Sequence, residues 1–320
     1  MDLIYMNNEK EDQGVLHDYR LDLAYGHDEN DFELKIPASA HCCGAGFYLY
    51  VDGTEYGGIV DDIGSDTDAA DVTYTGRTWH GLLNSKIIEP DAGEDYLVLT
   101  GEANAILGAL ILRLGLGDMF TASEEDSGLL ISRYKMNRYI PAYDGIRKML
   151  KSESGKLRFT FANGKVILSA HPRGDYTQDG DLDSDLVDLK VKRHYHLVNH
   201  LICLGRGELS AREVIHLYAD ADGNISKTQT FTGMDERAEV YDYANVESID
   251  ELESGGIDRL KELRLADEVE VAFDEDGDQY EIQDLVGATD NITGLIATAE
   301  ITKKIVTIDN GQITISYKVG

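Results

Sequence analysis

Apolar and polar residues alternate with a period of two along much of this chain, and the alternation breaks repeatedly at Asn-Gly and Asp-Gly pairs. Such pairs tolerate the positive φ angles that a tight two-residue hairpin demands. Phe47–Val51 and Thr54–Tyr56 flank Asp52-Gly53, Leu157–Phe161 and Lys165–Ser169 flank Asn163-Gly164, and His216–Ala219 and Ile225–Thr230 lie around Asp222-Gly223. Glu268–Phe273 and Gln279–Ile282 flank Asp276-Gly277, and Ile305–Ile308 and Gln312–Tyr317 flank Asn310-Gly311. Hairpins spread over the whole length predict a mainly β, antiparallel protein. The block from Asn199 to Asn224 adds another, with the runs Leu201–Leu204 and Val214–Tyr218 around a polar turn, Gly205-Arg206-Gly207-Glu208.

Three segments change to a period of 3.6 and predict helices. Residues 102–114 carry Ala103, Ile106, Leu107, Leu110, Ile111 and Leu114 on one face and stop at Gly115. Residues 143–152, just after Pro141, place Tyr143, Ile146, Met149 and Leu150 together. Residues 249–264 start at a capping box, Ser248-Ile249-Asp250-Glu251, and bury Ile249, Leu252, Leu260 and Leu263. Gly255-Gly256 are expected to weaken or break that last helix. The stretch from about 91 to 170 therefore reads as an α/β domain inserted between β-barrel-like domains. Residues 171–190 read as an exposed, flexible connector, and the helix at 249–264 as part of a small second insert.

At 320 residues the chain has room for two or three cores. Its formal net charge of −31 disfavours a phosphate-binding surface, which needs Lys and Arg to displace counterions. It equally disfavours an anionic membrane surface. The apolar stretch Ala103 to Leu116 is interrupted by Asn104 and Arg113 and is too short to span a bilayer. The acidic start MDLIYMNNEKEDQ lacks a signal-peptide core. Three cysteines, two of them adjacent (Cys42, Cys43) and one distant (Cys203), fit free thiols in a reducing compartment. Synthesis and folding in the cytoplasm are expected.

Candidate chemistry is sparse. The acidic run Asp179, Asp181, Asp183, Asp185, Asp188 invites calcium, but an EF-hand loop starting at Asp179 has Ser184 where Gly is needed and Lys190 where the bidentate Glu belongs. Loops from Asp220 and Asp274 end on Phe231 and Leu285 and fail the same test. If Tyr195–Leu204 is a strand, His194, His196 and His200 share a face, with His216 nearby, and imidazoles bind zinc. No His-Glu-x-x-His or Cys-x-x-Cys accompanies them, and Arg193 would repel a cation. Surface or interfacial histidines are the expected reading, with no metal site. Cys203 sits in an apolar run, where a thiol is inert. No Gly-x-Ser-x-Gly elbow occurs, and Gly115-Leu116-Gly117 follows a helix instead of opening one. No catalytic residue and no cofactor are expected.

Three separated blocks resemble one family. Tyr74-Thr75-Gly76-Arg77-Thr78-Trp79-His80-Gly81-Leu82-Leu83, followed by Lys86–Pro90, resembles the block that ends the first domain of tail-hub proteins of long-tailed bacteriophages and prophages. The block NHLICLGRGELSAREVIHLYAD at 199–220 resembles a second, and Ile282–Gly320 resembles the last barrel strands. The resemblance implies a four-domain fold with two tube-protein-like β-barrel domains and two α/β inserts. The divisions are 1–90 (first barrel), 91–170 (α/β insert), 171–235 with 276–320 (second barrel) and 236–275 (small helix-containing insert). It further implies a structural hub at the virion tail tip. A homotrimer would close the distal tail tube, dock on the distal-tail or tail-tube ring, meet the tape-measure protein, and open for DNA to pass without specific binding. The family supplies no catalytic residues here. Many members continue into fibre, peptidase or carbohydrate-binding domains, so either another chain supplies those functions or this one is a piece of a longer protein. Alternatives are the hub of another contractile injection system, a wall-degrading enzyme, and a carbohydrate-binding module suggested only by 18 tyrosines.

Overall fold

The computed structural model describes residues 2–66, 68, 70–177, 182–183, 188–193, 197–246, 248–264, 267–275, 280–289, 296–309 and 311–320. Contacts gather the chain into two compact units, Met1–Leu189 with Glu270–Gly320, and Lys190–Val269.

The first unit is built on one long sheet. Its amino-terminal strands are β1 (Leu3–Met6), β2 (Asp12–Leu16), β3 (Arg20–Gly26), β4 (Asp31–Pro37), β5 (Tyr48–Tyr50), β6 (Gly57–Asp66) and β7 (Asp71–Thr78). Neighbouring strands in it include, in order, Asp267–Glu275, Gln312–Val319, Ile296–Asp309, β3, β4, β7, β6, β5, β1 and, at one end, β2. The alternation in β3 and β4 explains their place: Leu21, Leu23, Phe32, Leu34 and Ile36 are all buried, while the residues between them face solvent. In-register neighbours keep the apolar phase aligned, with Leu23 opposite both Val306 and Phe32, and Leu34 opposite Tyr74. The fold is mostly strand with four α-helices among the described residues. The expected barrels are a point of difference. The strand order is a path with free ends, and no sheet closes on itself among the described residues. Closure needs a partner for each end strand, and alternation within a strand carries no information about that.

At the end of β7 the chain turns into α1 (Trp79–Asn84), a helix that no sequence pattern predicts because six residues are too few for periodicity. Thr78 caps it, its hydroxyl accepting from the Gly81 amide at 3.3 Å. Trp79 is fully buried against Tyr48 and Phe161, with ring centroids 6.3 and 5.6 Å away. The expected helices follow as α2 (Ala103–Arg113) and α3 (Ala142–Ser152). They pack with the hairpin Gly155–Ala162/Lys165–Pro172 into a core that also takes in Met6, Tyr50, Trp79 and Leu83. That hairpin has the two-residue turn its sequence demands: Asn163 and Gly164 sit at φ 53° and 73°. The Asp276-Gly277 turn and Asn310 lie outside the described residues.

The pairing is mainly but not wholly antiparallel, since Phe120–Ala122 runs parallel to Lys165–Pro172. Nor is 171–190 a bare connector. Asp175–Tyr176 and Leu182–Asp183 pair in parallel with Leu285–Thr289, which itself lies beside Ile296–Asp309.

In the second unit His200–Leu204 pairs antiparallel with Val214–Ala219, as read from the sequence, and parallel with Ala238–Asp242. Helix α4 (Ile249–Glu262) covers one face, burying Leu252 and Leu260 against Leu201, Cys203 and Leu217. Ser248 caps it, accepting from the Glu251 amide at 3.2 Å. Gly255-Gly256 do not break it. A Cβ on Gly256 would lie 2.5 Å from Cys203 Sγ and 2.8 Å from Leu217 Cδ1, so the missing side chain lets the helix approach the sheet.

Candidate functional site

The solvent side of the long sheet carries the residues left over by burial of the other side: Arg20, Asp22, Asp31, Glu33, Lys35, Thr73, Thr75 and Arg77. A groove of about 520 Å³ runs over it, and its carboxylates are Asp22, Glu29, Asp31, Glu33, Asp61 and Asp62. Cations on this face are tied down one by one. Arg77 grips Asp61 with both arms at 2.7 Å, Arg20 Nε donates to Asp22 at 3.0 Å, Lys35 reaches Glu33 at 2.5 Å, and Lys303 pairs with Glu29. Hydrogen bonds from Arg77 hold Asp61 below the usual carboxylate range. Asp31 moves the other way, raised by desolvation and then by Glu29. Among the described residues this face offers phosphates no cluster of uncommitted cations.

Beneath the sheet lies a second kind of polarity. Lys304 is 1% exposed, yet its ammonium reaches Glu55 Oε1 at 2.7 Å. His80 Nε2 stands 3.4 Å from the other oxygen of the same carboxylate, and its ring packs on Phe159 with centroids 3.8 Å apart. Burial alone would raise Glu55, but Lys304 and His80 outweigh it and hold the group down to about 2. His80 is pushed below its ordinary value by desolvation. A parallel node joins Lys156 to Asp284 at 2.8 Å, and Asp284 also accepts from the amides of Gly174 at 2.6 Å and Glu281 at 2.9 Å. Arg158 and Lys156 both meet Glu281. Sequence reading singled out none of these. One signal was there: Lys304, Val306 and Ile308 share the buried phase of their strand, and a lysine in that phase needs a partner.

The sequence-flagged residues separate. His194 and His196 lie outside the described residues. His200 and His216 do meet, Nε2 to Nδ1 at 2.8 Å, while His200 Nδ1 contacts Glu236 at 2.6 Å and its ring stacks on Tyr218. Among the described residues no three His, Cys, Asp or Glu side chains form a metal-holding group. Asp220 spends its carboxylate on its own turn, accepting from the amides of Asp222 at 2.9 Å and Asn224 at 2.8 Å. Asp179, Asp181 and Asp185 lie outside the described residues. Cys203 is buried and its thiol is pushed up to about 11 by desolvation. No helix among the described residues is long and apolar enough to cross a membrane.

No protein-family model matches the chain, and no curated protein does. Solved structures do. A prophage MuSo2 43 kDa tail protein from Shewanella oneidensis matches 100% of this chain and 98% of its own length at 13% identity, with a TM-score of 0.56. Prophage tail protein gp18 from Listeria monocytogenes EGD-e matches over 99% and 94% at 12% identity, TM-score 0.53. A tail protein from Neisseria meningitidis MC58 matches over 99% and 95% at 12% identity, TM-score 0.52. The chain shares the fold of these tail proteins from end to end.

Proposed function

We propose that this chain is a structural subunit of a phage or prophage tail, specifically the tail-tip hub that closes the distal tube as a homotrimer and opens for DNA. The observation that carries this is the extent of the fold match, which leaves almost nothing of either partner unaccounted for in three separate tail proteins. The four-domain division given above belongs to the same reading.

The sheet supports it on physical grounds. A single chain leaves β2 at the end of the strand order, and an end strand carries unpaired amides and carbonyls that invite another chain. Three chains in a ring can satisfy edges that one chain leaves open. The polar sheet face suits a bore. Its cations are already held by carboxylates, and a net charge of −31 per chain repels phosphate, so DNA slides instead of sticking. The distal-tail or tail-tube ring and the tape-measure protein are the expected neighbours, and the buried ion pairs serve structure, not catalysis.

Immunogold labelling of intact particles with antibody to this chain tests the position. Label confined to the tail tip supports the hub; label along the shaft or on the capsid rejects it. Sedimentation equilibrium with the tube-ring protein present tests the stoichiometry, where three copies are expected and one rejects the trimer.

A further inference from the structure

The loop that leads into β5 carries Cys42 and Cys43 side by side, outside any helix or strand. On extended backbone two successive side chains point to opposite sides. Here the loop turns instead, and the two Sγ atoms converge to 3.6 Å. Tyr74, buried on β7, holds that turn. Its hydroxyl oxygen accepts from the Cys42 amide at 3.3 Å and from the Cys43 amide at 3.4 Å. With both lone pairs taken, the hydroxyl hydrogen goes to His41 Nδ1, 2.7 Å away.

The two sulfurs differ in what reaches them. Cys42 is partly exposed, whereas Cys43 is 2% exposed. The Tyr5 hydroxyl hydrogen-bonds the Cys42 thiol and is raised above its ordinary value, first by desolvation and then by the two thiols. It therefore stays protonated and can donate to Cys42 as that sulfur becomes a thiolate. Cys43 is also raised, first by desolvation and then by Cys42, which makes it a poor nucleophile toward anything in solution. Cys43 needs no access to solvent to react with the sulfur beside it, and contact of that kind supplies the high effective concentration of an intramolecular reaction.

We propose that Cys42 and Cys43 form a reversible thiol–disulfide modification site, closed by low-molecular-weight disulfides. The Cys42 thiolate attacks one sulfur of the small disulfide, forming a mixed disulfide and expelling one thiolate. The Cys43 sulfur then attacks Cys42 Sγ, expelling the second thiolate and closing the Cys42–Cys43 bond. Two protein thiols are oxidised, one small disulfide is reduced, and the two thiol protons pass through solvent to the released thiolates. Adjacent residues set their Cα atoms about 3.8 Å apart, closer than the roughly 4.4–6.8 Å that unstrained bridges span. A bridge strained in this way is easily reduced, so the thiols return when the disulfide is withdrawn. The step asks nothing of tail assembly, and its failure leaves the tail reading intact.

The test incubates the reduced full chain with oxidised glutathione, caps the remaining thiols with N-ethylmaleimide in denaturant, and reads the peptide holding both cysteines by mass spectrometry. In the native chain that peptide should lose two hydrogens and carry neither glutathione nor maleimide, and dithiothreitol should reverse the change. Cys43→Ala should instead keep one glutathione on Cys42. Cys42→Ala should take up none, because Cys43 is buried. Unfolded in urea, the chain should accumulate glutathione on the pair, since nothing then aims one sulfur at the other. A native chain that stays fully reduced, or that retains glutathione on Cys42 as firmly as Cys43→Ala does, overturns the proposal. So does equal closure in urea. The native-chain result decides by itself if Cys43→Ala, altered at a buried position, fails to fold.

Discussion

Lys304 and Glu55 stand 249 positions apart in the chain and meet at 2.7 Å beneath the long sheet, Lys304 almost wholly buried and Glu55 with its side chain 18% exposed. Removing one partner leaves a charge in a poorly solvated place, whereas removing both leaves none. Lys304→Met should cost about 3 kcal/mol in urea unfolding. Lys304→Met combined with Glu55→Gln should recover most of that loss. A double variant as unstable as the single one would mean that packing, not charge, dominates there.

The same node predicts acid sensitivity. Glu55 is held at about 2 in the folded chain against an ordinary 4.5, so the unfolded chain binds its proton first as pH falls. Its contribution is complete above 4.5 and is lost between 4.5 and about 2. His80 is also lowered from 6.5, so protonation of the unfolded chain starts to cost stability once pH drops below that value. Urea midpoints should therefore decline from pH 7 downward in two stages. In His80→Gln the upper stage should shrink, with the desolvated His27 and His171 still contributing to it, while the lower remains.

Gly255 and Gly256 are neighbours in α4 with opposite prospects. At Gly256 a methyl group would meet Cys203 Sγ at 2.5 Å, and overpacking of that kind costs about 1–3 kcal/mol, more than the roughly 1 kcal/mol an alanine gains in helix propensity. At Gly255 the nearest atom is the hydroxyl at the end of Tyr241, 3.3 Å away. Gly256→Ala should lower the melting temperature, and Gly255→Ala should hold or raise it. Cys203→Ala should partly rescue the former.

Thiol chemistry should discriminate among the three cysteines. Cys43 and Cys203 are buried, and desolvation raises both thiols, whereas Cys42 is only partly buried. The thiolate is the reactive form, so brief iodoacetamide treatment of the native chain should mark Cys42 well ahead of the others. Peptide mass spectrometry reads the result, and early labelling of Cys203 would contradict the packing of α4 on its sheet.

What the sequence announced depended on distance along the chain. The Asn163-Gly164 turn was legible because a two-residue hairpin requires positive φ at both positions and these residues supply it. The helices α2, α3 and α4 were legible because each runs long enough for its period to show. Helix α1 was not, with only six residues and a cap formed by Thr78. Closure of the barrels was misjudged because it depends on which strands end up at the edges. The ion pairs of Lys304 and Lys156 join segments more than a hundred residues apart, and only the odd phase of Lys304 hinted at one of them.

β3 takes Ile296–Asp309 as its neighbour, register for register from Arg20–Asp309 to Gly26–Lys303. During synthesis that edge of β3 stands open until Ile296–Asp309 has been made, on the order of tens of seconds at ribosomal elongation rates. A product cut short by a stalled ribosome lacks the strand and exposes a long bare edge, the kind of surface chaperones and proteases find. The pairing thus ties completion of the sheet around β3 to synthesis of the distant strand Ile296–Asp309.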